Sequence, residues 1–182
     1  MVWCGRRGSD SQDLKNIDIT KIEGDLIIDN SLFDDEDRDS SRLDRANESD
    51  RAYDAPVTAF GINFNTLPIV INPALKSGEP AKVNFDPYPL PGVPLANKTQ
   101  TVSGGENHLS AVRSTTNGDS SLIVNGTIGS QIHVAKVYRS MGDPLMETGE
   151  QLRAFLLNEG ITIKGRAKGC KIPAQAKLLY TI

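Results

Sequence analysis

Glycine and proline punctuate this chain so densely that its apolar residues fall into short runs: 16 Gly and 10 Pro are spread over 182 residues. Glycine admits conformations closed to other residues, and proline removes a backbone donor, so each interrupts regular structure. A chain cut up in this way favours many short strands joined by turns over a helical bundle. With 38% hydrophobic and 24% charged residues, it has the balance of a globular protein, long enough for one domain or two small ones. The expected fold class is mainly β with some α (α+β).

The formal net charge is −3, and no basic stripe runs along any segment. Phosphate binding needs clustered Lys and Arg, so no nucleic-acid partner is expected. No apolar run approaches the ~20 residues that span a bilayer, so no transmembrane segment is expected. Met1 to Arg7 is basic but has no apolar stretch behind it, so it does not read as a secretory signal. Cys4 and Cys170, near opposite ends, do not amount to a disulfide framework; two free thiols are expected rather than a pair.

Residues 1–12 show no periodicity and are expected to be an unstructured or artefactual end. Gly24 leads into Asp25-Leu26-Ile27-Ile28-Asp29, a short strand closed by Asn30-Ser31. Asp34 to Asp50 is almost wholly polar, so it cannot offset the entropy of ordering and should be an exposed loop. Its acidic run lacks the glycine and spaced ligands of a calcium loop, so no metal is expected. From Val57 to Phe64, apolar side chains recur every second or third residue. Pro68 to Pro73 reads as a short buried strand and Lys82 to Phe85 as another. The proline-rich stretch from Asp86 to Pro94 reads as an extended loop.

Asn117-Gly118 is a strong hairpin dipeptide, because both residues tolerate positive φ. It would pair Leu109–Arg113 with Ser121–Val124. Asn125-Gly126 reads as a second turn or a bulge, and Gln131–Tyr138 alternates as a further strand. One helix stands out, Pro144 to Glu159. Asp143 suits its N-cap, Pro144 its first position and Gly160 its left-handed stop. Leu145, Met146, Leu152, Phe155 and Leu156 share one broad face. Ile161–Lys164 follows as a strand, and Ala174 to Ile182 is an apolar tail.

Little in this pattern carries chemistry. His108 and His133 have no Cys, His or Asp partner at metal-ligand spacing, and His133 falls inside an alternating segment. Gly104-Gly105 precedes no helix that would hold a phosphate. No serine stands three residues before any lysine, and no Ser-x-Asn occurs. Lys76-Ser77-Gly78 matches a relaxed Lys-Thr/Ser-Gly pattern but reads as a turn between Pro73 and Pro80. Sequons begin at Asn47, Asn97 and Asn125, a short pattern that arises freely by chance. No complete catalytic site and no cofactor are expected.

Three blocks nevertheless resemble one family. Gly24 to Phe33 is similar to the "G-D-L-hydrophobic-hydrophobic-D-x-S/T-x-F" strand and turn of class C low-molecular-mass penicillin-binding proteins. These are the D-alanyl-D-alanine carboxypeptidases and endopeptidases of the penicillin-binding protein 4 type. Tyr53 to Phe60 resembles their "Y-x-A-P/Q-x-S/T-A-L". Asp143-Pro144, the helix behind it and Gly160-Ile161-Thr162-Ile163-Lys164-Gly165 resemble their "D-P-x…L…L…G-I-x-hydrophobic-x-G". The blocks occur in the family's order and cover roughly residues 17–171.

The resemblance implies two small β-rich accessory domains, one inserted into the other. The outer would hold residues 13–65 and 131–172, the inner residues 66–130, and residues 173–182 would begin a truncated catalytic domain. Family members are serine-type carboxypeptidases, extracytoplasmic or periplasmic, in which the lysine of Ser-x-x-Lys activates the serine nucleophile. This chain lacks those motifs, so the resemblance implies a non-catalytic accessory region, inactive as an isolated chain. The alternative is a scaffold module that binds peptidoglycan or a protein. The resemblance also gives Asp29 and Phe33 a substrate-binding role toward the peptidoglycan stem peptide. A carboxylate suits an ammonium group, and an apolar neighbour suits the alkyl stem. From the residues alone, Asp29 equally suits a turn cap and Phe33 a core position.

Overall fold

The structure, a computed structural model, describes residues 19–32, 50–116 and 119–177. Cys4, Phe33, the acidic segment at 34–49, Asn47, the Asn117-Gly118 dipeptide and the end of the tail at 178–182 lie outside the described residues. Among the described residues the architecture is β-rich with one long helix, the α+β class that the turn density implies. The chain divides into two compact units. Described residues 19–32, 56–65 and 143–177 belong to the first, and 50–55, 66–116 and 119–142 to the second.

The first unit is built from chain segments far apart in sequence. β1 (Lys21–Ile22) pairs in parallel with β9 (Thr162–Ile163), and β2 (Leu26–Ile28) pairs in parallel with β10 (Ala167–Gly169). Its helix α1 (Pro144–Asn158) starts where the local signals place it. Asp143 accepts the Met146 N–H at 3.0 Å, Pro144 takes the first turn, and Gly160 stands at φ 86° beyond the end. Ile22, Leu26, Ile28, Leu152, Leu156, Ile161 and Ile163 form the buried core, with Ile19, Phe60, Ile62 and Leu145 packed against it. Each fully buried aliphatic side chain contributes roughly 1.5–3 kcal/mol. The helix also buries Glu147, Thr148, Glu150 and Gln151, so its covered surface is wider than its apolar stripe. Glu150 shows why this is tolerated: its carboxylate accepts the Ala167 N–H at 3.0 Å and faces Arg153 at 3.3 Å.

The second unit holds two three-stranded sheets. In one, β3 (Thr66–Asn72) lies between β4 (Lys82–Phe85) and β8 (Ala135–Ser140), antiparallel to both. Pro68 sits in this central strand, where proline is ordinarily excluded. Its carbonyl accepts the Asp86 N–H at 3.0 Å; having no N–H to return, it closes the β3–β4 ladder at the Ile69–Phe85 pair. In the other sheet, β7 (Asp119–Gly129) runs between β5 (Leu95–Val102), parallel to it, and β6 (Asn107–Thr116), antiparallel. Arg139 Nε donates to the Ala111 carbonyl and Arg113 Nη2 to that of Ser140, fastening β6 to β8.

Two sequence expectations differ from this arrangement. Asn125-Gly126 is neither turn nor bulge: β7 runs straight through, with Gly126 paired to both Leu109 and Thr99. The glycine answers a close approach instead, since a Cβ there would lie 1.9 Å from the His108 carbonyl oxygen, and φ is 109°. The strand read over Gln131–Tyr138 begins only at Ala135, the partner of Ile71, because β3 stops at Asn72. His133 therefore lies ahead of the strand, exposed. That strand belongs to the second unit through its pairing with β3.

Candidate functional site

The turn that closes β2 carries Asp29, one of the two residues singled out for binding. β2 ends at Ile28, whose carbonyl accepts the Cys170 N–H at 3.1 Å. One residue on, Asp29 divides its carboxylate between two backbone donors: Oδ1 accepts from Ser31 at 2.7 Å and Oδ2 from Ile172 at 2.8 Å. These two N–H groups, Ser31 first, then the Ser31 hydroxyl and the Lys171 charge, hold its pKa below the usual carboxylate value. Asp29 is thus an anion at neutral pH and a turn cap at once. A carboxylate has about four lone-pair directions, so these two backbone bonds and the Ser31 hydroxyl leave room for one further donor.

The next residue ties in a second segment. Asn30 Oδ1 accepts the Ala59 N–H at 2.8 Å, and Thr58 Oγ1 bonds the Phe60 carbonyl at 2.8 Å. Asn65 Nδ2 bonds both the Pro56 carbonyl and Thr58 Oγ1 at 2.8 Å. Gly61 has no space for a Cβ, which would meet Asn65 Oδ1 at 2.3 Å. The family resemblance singles out Asp29 for binding, while Asn30 reads in the sequence only as part of the turn that closes the strand.

The third segment closes against the first. Gly165 N donates to the Gly24 carbonyl at 3.2 Å, Leu26 N to that of Arg166 at 3.0 Å, and Arg166 N to Asp25 Oδ1 at 3.0 Å. Lys168 pairs with Asp25, and this contact, ahead of the Arg166 N–H, lowers the Asp25 pKa. Glu23 lies between Lys164 at 2.6 Å and Lys21 at 2.5 Å, which lower its pKa in that order. The structure therefore brings together residues 24–32, 56–60 and 143–165, segments that lie in three separate stretches of sequence.

His108, exposed beside Glu106, and His133, also exposed, belong to the second unit, and the Cys170 side chain is exposed. Leu32 points to solvent at 81% exposure, and Phe33 beyond it lies outside the described residues. Lys76-Ser77-Gly78 forms a turn whose Gly78, at φ 94°, donates to the Thr101 carbonyl at 2.8 Å. The sequon residue Asn97 uses its amide on the Ala81 carbonyl at 2.6 Å. Among the described residues, no group of three or more His, Cys, Asp or Glu is placed to hold a metal ion. No helix among them is long and apolar enough to cross a membrane.

No curated protein matches the chain. Crystal structures that share its fold include two of one protein. Penicillin binding protein 4 (dacB) from Haemophilus influenzae superposes with a TM-score of 0.58 at 21% identity, over 92% of this chain and 36% of that one. The same protein complexed with a novel beta-lactam superposes with a TM-score of 0.51 at 19% identity, over 92% and 34%. The chain thus spans about a third of the length of these structures. The family described as D-Ala-D-Ala carboxypeptidase 3 (S13) matches residues 11–181. The match takes in nearly the whole chain, and the chain belongs to the D-Ala-D-Ala carboxypeptidase 3 (S13) family.

Proposed function

We propose that this chain is a non-catalytic accessory region of a D-alanyl-D-alanine carboxypeptidase that acts outside the cytoplasm on peptidoglycan. One observation carries the reading: the family match extends over residues 11–181 of a sequence that contains neither Ser-x-x-Lys nor Ser-x-Asn. Acyl-enzyme chemistry in such enzymes needs a serine with a lysine one helical turn away to take its proton. The division of the chain into two compact units supports a reading as two accessory domains. Fluorescent penicillin added to the purified chain tests this. No covalent adduct is expected, and an adduct that survives denaturation overturns it.

Within that role, Asp29 is the proposed contact for the ammonium end of the stem-peptide side chain, with Phe33 as its apolar neighbour. Its ionised state and spare lone pair support the assignment. Backbone amide shifts around Ser31 and Ile172 should move when a stem peptide with a free side-chain amine is titrated in. The N-acetylated peptide should leave them still. Equal shifts with both peptides would remove Asp29 from the binding site.

A further inference from the structure

The sheet of β5, β7 and β6 has two outer edges, and the fold treats them differently. In an antiparallel pair, residues that bond the neighbouring strand alternate with residues whose N–H and C=O point away from it. The Gly129 N–H donates to the Glu106 carbonyl at 2.8 Å, which fixes that alternation. By the β6–β7 register, His108, Ser110 and Val112 then bond toward β7, while Asn107, Leu109, Ala111 and Arg113 turn their backbone groups outward. Two of these outward positions are covered. The Arg113 N–H donates to Asp50 Oδ2 at 2.6 Å, and the Ala111 carbonyl accepts from Arg139 Nε. The opposite edge is covered as well. On β5, the Thr101 N–H donates to the Glu79 carbonyl and the Thr101 carbonyl accepts the Gly78 N–H, both at 2.8 Å.

Asn107 and Leu109 are the exception. Among the described residues, no hydrogen bond reaches their outward N–H and C=O groups. Edge strands are ordinarily kept from pairing by charged side chains, proline or a bulge. The stretch Asn107-His108-Leu109-Ser110-Ala111-Val112 has no Lys, Arg, Asp, Glu or Pro, and its register with β7 runs unbroken from Asn107 to Thr116. Asn107, His108 and Ser110 are exposed.

We propose that this open stretch of β6 pairs antiparallel with the same stretch of a second copy of the chain, about a two-fold axis at His108. One register answers the observations: Asn107 of each copy opposite Leu109 of the other. It closes all four open backbone groups of each copy in two reciprocal pairs, and it leaves the covered Ala111 carbonyl undisturbed. A second copy is favoured over an unrelated strand because the edge is self-complementary in this register. Glu106 of one copy meets the uncharged Ser110 of the other and stands diagonal to its His108. Within one copy, His108 Nε2 already lies 3.9 Å from a Glu106 oxygen, so each imidazole would stand between two carboxylates. The two sheets would join in the order β5-β7-β6-β6-β7-β5.

Sedimentation equilibrium of the purified whole chain tests this. A ladder this short gives weak association, so the measurement spans about 10 µM to about 1 mM. The weight-average mass should climb from monomer toward dimer over that range. Asn107→Pro removes an outward donor and leaves the bonds to β7 in place. His108→Glu sets like charges directly opposite each other. Each should weaken association about tenfold, while Lys82→Glu on β4 should leave it as it is. Cross-linking then reads the register, because Cα atoms facing each other between ladder bonds lie about 4.5 Å apart, within disulfide reach. In a Cys4→Ser, Cys170→Ser background, His108→Cys should oxidise to a covalent dimer, and Ser110→Cys, which faces Glu106, should not. A monomer at every concentration overturns the proposal. So does a dimer weakened no more by Asn107→Pro and His108→Glu than by Lys82→Glu, and so does equal cross-linking at 108 and 110.

Discussion

Asp29 Oδ2 accepts the backbone N–H of Ile172 at 2.8 Å across a separation of 143 residues. With the Ser31 N–H on its other oxygen, one side chain holds both the turn after β2 and the segment that leaves β10. The carboxylate proposed as a ligand contact is therefore also a fastening of the first unit, and any substitution there reads out in stability as well as in binding.

Asp29→Ala should lower stability by no more than about 1 kcal/mol, the size of a lost capping carboxylate at a site this open to solvent. The pH dependence has a definite sign. The folded-state pKa is depressed, so the contribution is fully present above the unfolded value of about 3.9 and is lost as pH falls through the lower folded value. Urea unfolding of wild type and variant should give a constant gap above about pH 5 that closes below about pH 4. A gap that persists in acid would mean that Asp29 stabilises by something other than its charge.

Gly149→Ala sets two effects of known size against each other. Helix propensity favours alanine over glycine by about 1 kcal/mol in a helix interior. A Cβ at this position, however, would come within 2.6 Å of the Ala167 Cβ and 3.1 Å of Ile28 Cγ1. The helix is seated on β2 and β10 at this glycine, so the overlap should prevail and give a net loss of about 1–3 kcal/mol. Chemical denaturation decides it, and a stabilised variant would mean that α1 sits farther from the sheet.

Gly126→Ala should be the most damaging single-methyl change in the second unit. It combines a φ of 109° with a Cβ placed 1.9 Å from the His108 carbonyl oxygen. Backbone strain of about 1–3 kcal/mol and a separated β6–β7 ladder should follow. Amide hydrogen exchange at Leu109 and Thr127 would report the separation directly. Protection equal to wild type there would contradict it.

What the sequence discloses about this fold is mainly local punctuation. Asp143, Pro144 and Gly160 delimit the helix because capping is decided by neighbours in the chain. The β6–β7 pairing follows from alternation on either side of one turn dipeptide. Asn125-Gly126 carries the same dipeptide with no turn, because the glycine there answers the His108 backbone in the next strand. The pairings β1–β9 and β2–β10 join residues from opposite ends of the chain, and short two- and three-residue strands leave no periodicity that would reveal them. At the candidate site, Asp29 is legible as a residue type, but its Ile172 partner is a backbone group and has no signature in sequence.

Phe64 offers a test in which glycine should help. Asn63, Phe64 and Asn65 have φ of 52°, 55° and 55°, three successive left-handed residues where single ones are the norm. Asn63 and Asn65 belong to the residue types that enter this region at least cost, and Asn65 is further held by Pro56 and Thr58. Phe64 is neither: it is bulky, and it is 96% exposed, so its ring returns nothing in packing to offset a left-handed cost of about 1–2 kcal/mol. Phe64→Gly should therefore raise stability by about 1 kcal/mol or less, part of the relief being offset by the greater freedom of glycine in the unfolded chain. Thermal and urea unfolding measured together would settle the sign. Destabilisation would show that the ring is held against another surface of the folded protein, and Phe64→Ala would then separate loss of that contact from relief of the backbone.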